Sequence, residues 1–199
     1  MDRRDFMKLA GAAGALLAAR PLALLAAQQN QQPVALTGEQ WRMVEAICER
    51  ILPGDDGPGA TAASCVNFID KLLANEEARL LPLYRDGLAA LGRSSQGRWQ
   101  KDFLDLEVPQ QIELLELLED GELEPWPGDG VDQQQLFGTL RVHTLFGFLA
   151  APKYGGNQNM VGWQVIGFPG HVHEMGGLSD EQVSGVKPIP MDWHGHGRK

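Results

Sequence analysis

Pro152-Lys153-Tyr154-Gly155-Gly156-Asn157-Gln158-Asn159-Met160-Val161-Gly162-Trp163-Gln164-Val165-Ile166-Gly167-Phe168-Pro169-Gly170 is the stretch on which the reading of this chain turns. Five glycines and two prolines in nineteen residues rule out a continuous helix or a central strand, because glycine raises the entropic cost of order and proline lacks a donor. The same stretch carries Tyr154, Val161, Trp163, Ile166 and Phe168, more apolar surface than a solvated linker needs. An ordered, irregular loop is expected. It is either a lid on the domain's own core or a contact surface offered to another molecule.

Upstream of the loop the pattern is helical throughout. Gln133 to Leu149 forms a long helix with Leu136, Phe137, Leu140, Thr144 and Phe148 on its inner face. Gly121 to Gly130 is a loop, and a helix over about Pro109 to Glu119 places Pro109 in its first turn. Another covers about Glu76 to Leu91, with Pro82 as a kink or break, and another Thr61 to Asn75 with Cys65, Val66, Ile69, Leu72 and Leu73 on one side. Thr37-Gly38-Glu39-Gln40 reads as a capping box. Behind it Trp41, Val44, Cys48, Ile51 and Leu52 recur at helical spacing until Pro53. No segment alternates as a strand does. The expected fold class is therefore all-α: a compact helical domain with an irregular Gly/Pro-rich C-terminal segment.

The chain opens with Asp2-Arg3-Arg4-Asp5-Phe6-Met7-Lys8 and a weakly apolar Gly/Ala/Leu run. Arg3, Arg4, Phe6 and Lys8 resemble the core of a bacterial twin-arginine export signal, which implies recognition by the twin-arginine translocase and a periplasmic destination. Ala27 is the best candidate for its last residue. A short retained membrane anchor is the competing reading, although Arg20 and Pro21 interrupt the run. The expected organisation is a signal over 1–27, a Gln-rich linker over 28–36, a helical domain over 37–149, and the loop and tail over 150–199 packed on that domain.

Without residues 1–27 the chain loses four basic and two acidic residues, so its formal charge moves from −9 to −11. An acidic chain with no Lys/Arg stripe makes nucleic acid an unsuitable partner. The turn Pro53 to Gly59 holds Asp55 and Asp56 but lacks the further oxygen ligands and closing Glu of a calcium loop, and reads as a solvated turn. Neither a haem-attachment Cys-x-x-Cys-His, a phosphate-binding loop, a dinucleotide fingerprint nor a Gly-x-Ser-x-Gly elbow occurs. His171/His173 and His194/His196 are two His-x-His pairs that an extended backbone would turn to one side as metal ligands. His143 is read as an ordinary helix residue.

Ala151 to Asn157 and Val161 to Gly170, with Ile51 to Ala60 and Asn67-Phe68-Ile69-Asp70 before them, resemble the gluconate 2-dehydrogenase subunit 3 family over about residues 37 to 170. The resemblance implies a non-catalytic small subunit of a periplasmic sugar or sugar-acid dehydrogenase that is membrane-associated through its partners. It implies an FAD-bearing partner of the glucose-methanol-choline type, and in some complexes a multihaem cytochrome c as a third subunit, with no cofactor and no catalytic residue on this chain. The expected partner interface is the loop itself: Tyr154, Gly155, Gly156, Asn157, Gly162, Trp163 and Phe168. Tyr154 and Trp163 would be the aromatic anchors, and Asn157 would fix the loop backbone. The rival for Trp163 is burial in the domain's own core. The alternative to the accessory role is a stand-alone periplasmic metal-binding protein or enzyme built on the four paired histidines.

Cys48 and Cys65 lie symmetrically about the Asp56-Gly57 turn, so a helical hairpin brings them level. In an oxidising compartment a disulfide there would add about 3 kcal/mol by loop closure. Two buried thiols, or a bridge to a partner, are the alternatives.

Overall fold

A computed structural model describes residues 32–128 and 130–168. Arg3, Arg4, Phe6, Lys8 and the paired histidines His171, His173, His194 and His196 lie outside the described residues, as does the tail from 169. Among the described residues the fold is all-α, as expected, with no strand.

Helix α1 (Gly38–Ile51) starts at the predicted capping box: Gln40 N donates to Thr37 Oγ1 at 3.2 Å and Thr37 N to Gln40 Oε1 at 2.9 Å. Its buried side is Met43, Val44, Ile47 and Cys48, while Trp41, Ile51 and Leu52 pack at the margin. The stripe is thus turned slightly from the one read in the sequence. Met43 and Ile47, one helical turn apart, supply the centre that Trp41 and Ile51 were expected to supply.

The acidic turn that follows is held from behind. Glu49 accepts from Gly54 N at 3.0 Å and from Thr61 N at 2.8 Å, so one carboxylate ties both ends of the turn to α1. Helix α2 (Cys65–Ala74) begins four residues later than expected, because Ser64 takes a left-handed backbone at φ 54°. That conformation is compensated by contact with the distant loop: Ser64 Oγ donates to Gln158 Oε1 at 2.6 Å and Gln158 N donates to Ala63 O at 3.0 Å.

Asp70 of α2 is almost fully buried and accepts from the backbone N–H groups of Val34, Ala35 and Leu36 at 2.7–3.0 Å. Residues 34–36 are therefore tied to the domain. The linker expected over 28–36 ends before them.

Pro82 stands in the first turn of helix α3 (Leu81–Trp99), behind a short 3₁₀ turn, so the break expected there is present. The helix then runs two turns past its expected end at Leu91. Ser94 and Ser95, poor helix formers, are buried there with their hydroxyls bonded to Pro125 O at 2.6 Å and Lys101 O at 2.8 Å. Tertiary hydrogen bonds outweigh the weak local preference. Helix α4 (Val108–Asp120) has Pro109 in its first turn and ends at left-handed Gly121.

Helix α5 (Gln133–Leu149) has the predicted bounds, capped by Asp132 Oδ1 accepting from Gln135 N at 2.7 Å. It packs against α1, α2, α3 and α4 and so forms the centre of the domain. Leu136, Phe137, Leu140, Thr144 and Phe148 are buried as read, and His143 and Gly147 join them. The chain then folds back as helical turns at Pro152–Tyr154 and Gln158–Met160, and as the short helix α6 (Val161–Val165).

Candidate partner interface

A helix leaves its last four carbonyls without helical partners, and the inner side of the end of α5, at Gly147 and Phe148, is buried. The 152–168 loop supplies donors to two of them. Asn157 N donates to Gly147 O at 2.7 Å, and Trp163 Nε1 donates to Leu149 O at 2.8 Å. The amide of Asn157, fully buried, donates through Nδ2 to Ala150 O at 3.0 Å and accepts through Oδ1 from Gly162 N at 2.8 Å. Asn157 thereby fixes the loop backbone, the part expected of it, while holding a left-handed conformation at φ 45°.

Close approach explains the glycines. A Cβ at Gly156 would run into Gly147 O, and one at Gly162 into Phe148 O. Gly147 is itself pressed on α2, where a Cβ would sit 3.0 Å from Cys65 Cα. On the other side Asn67 Nδ2 donates to Gly155 O at 2.6 Å. Asn67 and Asp70, quoted in the sequence for their resemblance to a family pattern, are thus both internal ties. Asn67 fastens the loop to α2, and Asp70 fastens residues 34–36 to it.

Trp163 corrects one expectation. It is 9% exposed, its indole N–H is bonded inside the domain, and its ring meets Phe168 edge-on at 5.0 Å between centroids. It anchors the loop to its own domain instead of facing a partner, because the carbonyl of Leu149 needs a buried donor. Gly156, Asn157 and Gly162 are buried with it, and Gly155 is half-buried. Of the seven expected interface residues, Tyr154 at 53% and Phe168 at 38% remain exposed.

What the sequence reading missed is the outer side of α5. Val142, Leu145, Phe146 and Leu149 are 38–57% exposed, at the i, i+3, i+4, i+7 spacing that puts them on one face. Val165 and Ile166 are exposed on the loop beyond. The second half of α5 has apolar residues on both faces, which a single-faced helical pattern does not bring out. Beside this face lies a groove of about 880 Å³ between α2 and the end of α5, lined by Phe68, Leu72, Phe146, Leu149 and Tyr154 with Lys71 and Lys153.

The buried polar chemistry lies elsewhere and is closed to solvent. Tyr84 Oη and His143 Nδ1 are 2.9 Å apart with their rings stacked, and both residues are buried. Burial pushes the Tyr84 phenol well above its ordinary value and lowers the His143 imidazole, with Glu77 opposing the second shift. Tyr84 is fully buried and His143 is 6% exposed. Cys48 and Cys65 are free, buried thiols in the structure, the second of the three states considered from the sequence. Burial pushes the Cys48 thiol up to about 12 and raises that of Cys65 as well, so neither is an activated nucleophile.

Among the described residues no group of three or more His, Cys, Asp or Glu is arranged to hold a metal ion. No described helix is long and apolar enough to cross a membrane.

Residues 38–170 match the model of the family described as gluconate 2-dehydrogenase subunit 3. No curated protein and no solved structure matches the chain. The match covers the Thr37-capped α1, the Asn67 and Asp70 ties of α2 and the loop that closes α5, and it spans well over half of the sequence. On that extent, this chain belongs to the gluconate 2-dehydrogenase subunit 3 family.

Proposed function

We propose that this chain is the non-catalytic small subunit of a flavin-dependent sugar or sugar-acid dehydrogenase complex, of the gluconate-oxidising type. The observation that carries the reading is the family match over residues 38–170. The catalytic subunit is a glucose-methanol-choline-type flavoprotein that holds FAD, and a multihaem cytochrome c joins as a third subunit where the complex is tied to the membrane. This chain supports folding of the flavoprotein and carries it to the periplasm.

The export role rests on Arg3, Arg4, Phe6 and Lys8. Twin-arginine export takes folded cargo, so the two subunits associate in the cytoplasm before either leaves. An all-α domain with many local contacts forms a binding surface quickly enough for that order of events.

Replacing Arg3 and Arg4 together by Lys keeps the charge but removes the planar guanidinium forks. Cells carrying this double variant are fractionated and assayed for dehydrogenase activity. Both subunits should stay together in the cytoplasm. Normal partner activity in the periplasm would show that this chain is not the carrier.

A further inference from the structure

We infer that the groove between α2 and the end of α5 is where the dehydrogenase subunit docks, and that it takes an apolar segment of that subunit bearing a carboxylate. The inference rests on the proposed role as a small subunit and assigns that role to a particular surface. Its first support is shape and polarity. The groove of about 880 Å³ is continuous through Phe146 and Leu149 with the exposed stripe that starts at Val142. A helix whose second face carries a run of exposed apolar residues presents the kind of patch that marks an interaction surface.

The second support is charge. The chain is acidic, at −9, yet two of the three lysines among the described residues, Lys71 and Lys153, line this one groove. Neither forms an ion pair among the described residues. Lys153 instead lies over the ring of Tyr154, with Nζ 4.9 Å from the centroid. Glu76 also lines the groove, so the surplus there is a single positive charge. Two ammonium groups beside an apolar trough suit an amphipathic segment whose Asp, Glu or terminal carboxylate meets the lysines as its apolar side chains settle on Phe146, Leu149 and Tyr154. A second copy of this chain fits less well, because each copy brings the same net negative charge. An anionic lipid surface is disfavoured for the same reason, two lysines being far short of a polybasic patch.

The test uses the full chain co-produced with its flavoprotein subunit. A photo-crosslinking phenylalanine analogue replaces Phe146, which is 57% exposed and available for substitution. Irradiation should join this chain to the flavoprotein. In parallel, Lys71→Glu with Lys153→Glu should lower the flavin that co-purifies by at least about tenfold, while the unfolding midpoint of the lone chain is unchanged. Crosslinks to a second copy, to lipid or within this chain would overturn the inference, as would a charge-reversed pair that retains its flavin. Wild-type chain that brings down no flavin at all would overturn the small-subunit reading itself, and so is told apart from failure of the groove alone.

Discussion

The two sides of the 152–168 loop spend their aromatic residues differently. On the inner side Trp163 and Asn157 are buried and bonded to the last carbonyls of α5, with Gly156 and Gly162 admitted because no side chain fits against Gly147 and Phe148. On the outer side Tyr154 stands exposed beside Phe146 and Leu149 in the wall of the groove, with Lys153 over its ring, while the half-exposed Phe168 packs its edge on Trp163. One short segment therefore closes its own domain with one face and extends an apolar surface with the other. A family pattern rich in Gly and Trp is the mark of the first task, which demands fixed geometry. The second task needs only exposed apolar area, so it leaves a fainter trace in sequence.

This contrast can be broken most directly at Trp163. Trp163→Ala removes a large buried ring and the donor for Leu149 O, and should cost about 3–5 kcal/mol of stability in the lone chain by urea unfolding. If it left stability intact and abolished partner binding, the division between inner and outer sides would be wrong. Asn157→Ala should follow at roughly 3 kcal/mol, since it strands Ala150 O and Gly162 N in the interior and forces a left-handed alanine. Asn157→Gly relieves the backbone conformation but not the lost bonds. It should recover only a part of that loss in the same denaturation experiment.

The sealed core also predicts a smaller, pH-dependent effect at His143. Burial lowers its pKa in the folded chain below the 6.5 of a free imidazole, so the unfolded chain binds the extra proton first as pH falls. Its contribution is fully present above about pH 6.5 and is lost as pH drops below that value, until the lower folded pKa is reached. Urea midpoints measured from pH 8 downward should show this decline in the wild type. The decline should be shallower in His143→Gln, and equal slopes would place the titration elsewhere.

The outer side should give the smallest change of all. Phe146→Ser alters an exposed residue and should shift stability by no more than about 0.5 kcal/mol by urea unfolding. A loss comparable to that of Trp163→Ala would mean that Phe146 belongs to the core and that α5 has no free apolar face.

Sequence alone determined the class, the bounds of α5, the capping box at Thr37, the break at Pro82 and the helix start near Pro109. These depend on residues within a turn or two of each other, where periodicity and capping chemistry act directly. It also singled out Asn157, because an Asn among glycines in an irregular loop implies side-chain bonds to backbone. Tertiary structure decided the rest. Asp70 reaches back more than thirty residues to Val34, Ala35 and Leu36, and Ser64 meets Gln158 across 94. Asn67 meets Gly155 across 88. No local pattern encodes such pairs, since each partner is an ordinary polar residue until the helices bring the two together. The side of the loop on which Trp163 would lie was undecided for the same reason. Its composition suited core and interface equally, and only the position of the unpaired Leu149 carbonyl, fixed by the way α5 meets the returning chain, drew it inward.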